Sequence, residues 1–214
     1  MATKADGLGL TDAPARASRP SQRKGDILAA FLWAGLAALR LALLLSTPSV
    51  LQGGLALFAL TFPLLFIVRR PARAQGPQST FWLAMFATFV PISLLRPNGP
   101  GWAGLGEAVQ VVGLGLAVVA LWTLNRSFGV APAHRGLVTR GVYKLVRHPV
   151  YTGELLSIAG YCIGYASTLN WVIWVLLAVL QVARIFAEEK LLSDDVEYQA
   201  YQQRVRWRLV PGLW

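Results

Sequence analysis

The sequence predicts an all-α, polytopic integral membrane protein with about five to six transmembrane helices, the last two forming a C-terminal hairpin. Three observations carry this reading. Hydrophobic residues fill 55% of the 214 positions and charged residues only 14%, a balance too apolar for a soluble domain of this size. Apolar runs of membrane-crossing length recur along the chain. The basic residues gather between those runs, in alternate loops.

Residues 1–24, rich in Ala, Pro, Ser and Arg, read as a disordered tail. The apolar run after them is too long for a cleavable signal, so it reads as an uncleaved anchor. Residues 27–46 (ILAAFLWAGLAALRLALLLS) and 50–68 (VLQGGLALFALTFPLLFIV) each suffice to cross ~30 Å of hydrocarbon at ~1.5 Å per residue. Residues 79–95 are shorter and interrupted at Pro91, and 103–124 form a fourth apolar block. Residues 151–186 are too long for a single span, so the run folds back at its one polar interruption, STLNW (167–171).

Orientation follows from the 20 Lys and Arg residues. Five precede the first helix, three lie in RRPAR (69–73), five lie between 126 and 147, and five fall from Arg184 onward, whereas the opposite loops hold only Arg96. With an even number of spans this places both termini and both basic loops in the cytoplasm. The net charge of +10 is dispersed along membrane edges instead of forming an aromatic-interleaved basic domain, so the expected partners are anionic lipid head groups and no nucleic acid. Cys162, the single cysteine, reads as a small buried hydrophobe. One Cys and two His in the whole chain offer no metal-ligand cluster. Arg40 and Glu107 fall inside predicted spans, where an ionisable group costs roughly 2.5–3.5 kcal/mol; Arg40 is expected to snorkel or to pair with Glu107.

The residues able to do chemistry lie in two blocks, 125–154 and 184–214, at the cytoplasmic mouth of the hairpin. Pro149 suits the first turn of a helix and biases His148 away from helical geometry, so a helix starts near Pro149 with Arg147 and His148 just outside it. Arg184 and Glu188 share a face of the returning helix, one turn apart. Taken singly each has an ordinary explanation: a surface helix pair worth a few tenths of a kcal/mol, a solvated Glu189, interface tyrosines, and a tail helix of Tyr198, Tyr201 and Val205 lying on the bilayer. His134 reads as structural.

The joint pattern is more specific. HRGLVTRGVYKLVRHPVYTGELLSIAG, followed by RIFAEEKLL, EYQAYQQRV and RLVPG, resembles the isoprenylcysteine carboxyl methyltransferase family and the related membrane phospholipid methyltransferases. The resemblance covers about residues 126–214, and the chain departs from it at SDDVEY (193–198), where Phe-Gly is usual. It implies an S-adenosylmethionine-dependent methyltransferase acting on a lipophilic or lipidated acceptor from the bilayer, such as an isoprenylcysteine carboxylate or a phospholipid amine. It further implies cofactor binding by His148, Tyr151 and Gly153 of the RHPxYxG stretch, by Glu188 and Glu189, and by Tyr143, Leu137 and Val138 of the preceding loop. Arg147 and Glu188 are the expected catalytic pair, with Tyr198 and Tyr201 matching the tail tyrosines. Residues 1–24 are then a tail, 25–124 the N-terminal membrane helices, and 125–214 the methyltransferase core. The residue types suit the cofactor: its carboxylate seeks an arginine, its amine and sulfonium seek carboxylates or aromatic faces, and its adenine seeks an apolar slot. The alternative is a membrane-embedded NADPH-dependent reductase of the sterol-reductase type, which resembles the C-terminal half in architecture; a non-enzymatic scaffold would leave the clustered polar residues without a role.

Overall fold

The computed structural model describes the backbone of residues 20–214 and the side chains from Lys24 onward, except those of residues 90–92. Most of the expected tail, residues 1–19, lies outside the described residues. Helix α1 (Pro20–Ser46) is followed by α2 (Val50–Val68), whose N-terminus is capped by Ser49 Oγ accepting from the Gln52 amide at 3.1 Å. Helices α3 (Gln78–Leu94) and α4 (Ala103–Leu124) come next. Pro149 opens α5 (Pro149–Gly164), as its missing N–H favours. The chain reverses at residues 165–167, and Ser167 caps α6 (Thr168–Leu192). A short amphipathic α7 (Val196–Arg204) follows, capped by Asp195.

Among the described residues, four helices are long and apolar enough to cross a membrane: α1, α2, α4 and α6. The other two apolar helices form, but α3 has 17 residues and α5 has 16. At ~1.5 Å per residue they reach about 24–26 Å, short of a ~30 Å hydrocarbon layer, which is why the count falls below the expected five to six.

The helices meet in chain order except at α3. α1 pairs with α2, α2 with α4, α4 with α5 and α5 with α6, while α3 packs on α6. The α4–α5 contact is the closest and rests on small residues. A Cβ on Gly113 would lie 2.3 Å from the Ser157 amide nitrogen, one on Gly153 would lie 2.6 Å from the Ala117 nitrogen, and one on Gly160 would lie 2.7 Å from the Gly106 carbonyl oxygen. The two backbones therefore touch, as small-residue helix pairs do in membranes, where packing replaces the hydrophobic effect as the association force.

Two layers of loops close the bundle. On one side the loops following α2 and α4 join through a two-residue antiparallel ladder, β1 (Ala74–Gln75) against β2 (Ala133–His134). Phe128 fastens this layer by packing edge-on against Phe62 and Phe66, with Phe62 stacked on Trp33 at 4.0 Å. On the other side the fully buried Asn170 donates to the carbonyls of Arg96 and Tyr165 and accepts from the Arg96 amide, tying the α3–α4 loop to the hairpin turn. Arg40 and Glu107 form no ion pair, contrary to one of the two expectations for them: α1 lies against α2, and α4 against α5 and α2. The ion pair that secures α1 is instead Asp26 with Arg69, which also lies over the Phe66 ring.

Candidate functional site

The loop layer bearing β1 and β2 also receives the polar end of α6, all of α7 and the segment 205–214. Residues 205–214 fold back over the start of α5. The amides of Arg147 and His148 donate to the carbonyls of Trp207 and Arg208, each at 2.9 Å, and Thr152 Oγ1 donates to the Leu209 carbonyl at 2.9 Å. The Trp214 carbonyl accepts from the amides of Arg208, Leu209 and Val210, which turns the segment into a closed loop.

Beneath this latch is a buried ion cluster centred on Glu189. Its Oε1 accepts from Arg147 Nε at 2.9 Å and Nη2 at 2.8 Å and lies 3.2 Å from His148 Nε2, while Oε2 accepts from Arg208 Nε at 3.0 Å. Arg147 Nη1 also donates to the carbonyls of Val205 and Arg206. Arg147 stands just outside the start of α5, as the sequence predicts, but its side chain is 6% exposed and held by Glu189 and the returning segment. Glu189 and Arg147 thus form one structural unit.

Glu188, one residue earlier on α6, turns the other way, since successive helical residues point about 100° apart. It accepts a hydrogen bond from the Tyr151 hydroxyl and lies 3.7 Å from His148 Nδ1. Tyr151 is sandwiched: the His148 ring stacks parallel to it at 5.8 Å, and the Arg184 guanidinium sits 4.6 Å from its centroid. Arg184 donates to Gln181 Oε1 at 3.1 Å and to the Val130 carbonyl at 3.0 Å, and Gln181 in turn donates to Glu154 at 2.6 Å. Two carboxylates, Glu154 and Glu188, therefore share the neighbourhood of one guanidinium.

These groups line a single cavity together with Leu137, Val138, Tyr143 and Arg147. Of the residues expected from sequence, the structure brings together His148, Tyr151, Glu188, Tyr143, Leu137, Val138 and Arg147; Glu189 stands behind the wall, and Gly153 faces α4. The tail tyrosines close one side, with the Tyr201 hydroxyl donating to the Tyr143 carbonyl at 2.7 Å. Burial pushes the Tyr201 phenol up to about 12 and raises that of Tyr143 well above its ordinary value, with Glu188 adding to the latter, so both remain hydroxyl donors at neutral pH. The His134 ring reaches Asp195 at 2.7 Å and joins the β2 loop to the N-cap of α7.

Sequence reasoning missed two participants. Arg135 is buried at 6% exposure, reaches the Arg70 carbonyl, and lines the cavity with its Nε atom unpartnered; burial, with Arg69 nearby, lowers its pKa to about 10. Gln181 organises Glu154 and Arg184. A polar residue one turn before Arg184, inside an apolar helix, was a readable signal for Gln181. Arg135 carried none, being one of several loop arginines.

Residues 103–197, from the start of α4 into α7, match the phospholipid methyltransferase family. No curated protein matches the chain. The matched stretch contains the cavity's charged core, Glu154, Arg184 and Glu188, and agrees with the resemblance carried by the RHPVYTG and EE motifs. Over this segment the chain is similar to the phospholipid methyltransferase family, which also takes in the isoprenylcysteine carboxyl methyltransferases.

Proposed function

We propose that the protein transfers a methyl group from S-adenosylmethionine to a lipophilic acceptor drawn from the bilayer. The observation that carries this reading is the double character of one cavity. Its lining runs from Phe62, Thr88 and Leu121 on the membrane helices to Glu154, Arg184 and Glu188 at the loop layer. A water-soluble cation and a lipid tail can meet only in such a place.

The residues present suit the cofactor. Glu188, 23% exposed, and the stacked Tyr151 offer a carboxylate and an aromatic face to an amine or sulfonium. Leu137 and Val138 supply an apolar slot for adenine. The carboxylate partner follows from the orphaned donors: Arg135 Nε and Arg184 Nε are buried without a hydrogen-bond partner, whereas Arg147 is saturated by Glu189 and two carbonyls. Arg135 is therefore the arginine we assign to the cofactor's carboxylate. At about 170 Å³ the cavity is below the roughly 300–1,000 Å³ of small-molecule sites, so binding widens it. The β2 loop and α7, joined by the His134–Asp195 contact, border it.

Held by Glu188, Tyr151 and Arg135, the cofactor would supply an electrophilic methyl group for the acceptor's lone pair. The chain's contribution is alignment and exclusion of water, which need no dedicated nucleophile. Glu188 orients the donor's cationic end, the Tyr151–His148 stack fixes its plane, and the α2, α3 and α4 wall holds the acceptor's tail. Nothing in the cavity favours the nicotinamide-dependent alternative.

The test is calorimetry of the purified protein in detergent with S-adenosylhomocysteine and with NADPH, beside transfer of labelled methyl into a membrane lipid extract. Binding of the former, with labelled lipid product, is expected. Binding of NADPH alone would overturn the reading.

A further inference from the structure

A second cavity lies on the far side of the Leu137–Val138 wall. It is bounded by Arg70, Arg126 and Arg140, with Thr123, Asn125 and Thr139 between them, and it contains no carboxylate. At about 390 Å³ it falls within the roughly 300–1,000 Å³ of small-ligand clefts. It shares Leu124, Ser127, Leu137 and Val138 with the cofactor cavity.

The local structure holds the three arginines at this place without neutralising them. The Arg70 amide donates to the Arg126 carbonyl at 2.7 Å, and Arg126 Nε donates to the Val68 carbonyl at 3.3 Å, so the ends of α2 and α4 are clamped together. Gly136, at φ +106, leaves room for the Arg70 guanidinium: a Cβ there would stand 3.4 Å from Arg70 Nη1. Asn125, the C-cap of α4, adopts φ +47, a conformation that costs energy for a residue other than glycine. The neighbouring acid is already taken, since Asp26 pairs with Arg69. Among the described residues no ion pair reaches Arg70, Arg126 or Arg140.

Depth decides the ligand. Arg70 stands two residues beyond the end of α2 and Arg126 two beyond the end of α4, both membrane-crossing helices by length and composition. That is the level at which phospholipid phosphates lie, and planar guanidinium groups match phosphate oxygens. We propose that this cleft is a binding site for the phosphate of an anionic membrane phospholipid, separate from the methyl-transfer cavity and separated from it by one wall. Occupancy would fix the Leu137–Val138 loop that forms the apolar slot of the neighbouring site.

The experiment measures binding without any methyl donor, so its result is independent of the proposed reaction. The purified protein in neutral detergent at about 0.15 M salt, where diffuse surface attraction is screened, is titrated with short-chain phosphatidic acid, short-chain phosphatidylcholine and inorganic phosphate. The parent is compared with Arg70→Gln/Arg140→Gln, whose guanidinium groups make no bond among the described residues, and with a control of equal charge loss, Arg73→Gln/Arg204→Gln. Phosphatidic acid is expected to bind in preference to phosphatidylcholine. The Arg70/Arg140 variant should weaken it about 10–30-fold, and the control less than about 2-fold. Equal weakening in both variants would reduce the cleft to general surface charge, and no weakening in either would remove it as a site. Inorganic phosphate binding as tightly as the lipid would overturn the assignment to a membrane headgroup.

Discussion

Replacing Glu189 by glutamine separates structure from chemistry at this site. The side chain is 8% exposed and its two oxygens meet Arg147 at 2.8 Å, His148 at 3.2 Å and Arg208 at 2.9 Å. Glutamine keeps the shape, but it removes the one negative charge that, among the described residues, pairs with a guanidinium itself 6% exposed, and it turns an amide N–H₂ toward donors. Breaking a buried pair by deleting one partner costs about 3–5 kcal/mol. For a chain of this length each kcal/mol corresponds to about 2–4 °C, so the melting temperature should fall by roughly 6–20 °C. Glu188→Gln is the contrast. Its carboxylate is 23% exposed, and its bond from Tyr151 survives as a bond to an amide oxygen, so melting should shift by less than about 3 °C while methyl transfer collapses. Tryptophan fluorescence or circular dichroism on heating in detergent reads the first quantity, and labelled-methyl transfer reads the second. If Glu189→Gln melts with the parent while Glu188→Gln unfolds early, the division of the two glutamates into latch and cavity is wrong.

Three further outcomes follow from the geometry. Gly113→Ala should destabilise the bundle by about 1–3 kcal/mol, because its Cβ would meet the Ser157 backbone at 2.3 Å, whereas Gly115→Ala, with open space around it, should melt with the parent. Single cysteines at Gln75 and Asn98 in a Cys162→Ser background should label from opposite faces of sealed vesicles, since Gln75 lies in the β1–β2 layer and Asn98 in the loop tied to the hairpin turn; same-face labelling would refute the arrangement. Partial burial pushes the Asp195 carboxyl up, but the His134 bond and the amides of Glu197 and Tyr198 outweigh it and hold it below its usual 3.8. With a depressed folded pKa, its contribution is complete above that value and is lost as pH falls through the folded one, so Asp195→Asn should flatten the acid limb of the stability profile below about pH 4.

Local rules were legible in the sequence, and long-range closure was not. Pro149 announced the start of α5, Ser167 and Asn170 announced the reversal, and Gly153, Ser157 and Gly160 announced a close helix contact, because each acts through its own backbone or through a periodic face. Which helix they touch was not announced, and α4, not the hairpin partner α6, turned out to supply the principal contact. Gly153 was read as a cofactor residue from the motif, although its lack of a side chain serves the Ala117 backbone. Arg147 has a second set of partners that its motif does not show. Its partners are Glu189 and the carbonyls of Val205 and Arg206, some 40 to 60 positions away, and no local pattern shows that a returning segment will saturate an arginine. The charged pair Arg184 and Glu188 was visible by spacing, but the way Gln181 joins Arg184 to Glu154 needed the α5–α6 approach.

The fold-back of residues 205–214 has a consequence for the order in which the protein is made. Every helix leaves the ribosome before this segment does, so α1 to α6 can enter the membrane and pack while the amides of Arg147 and His148 and the guanidinium of Arg147 still lack their carbonyl partners. Insertion and maturation are thus two separate events in time. A chain lacking residues 205–214 would have its membrane helices in place yet an open loop layer. Docking of residues 205–214 would close it, so the arrival of this segment, and not membrane insertion, is the step that completes the loop layer around the cavity.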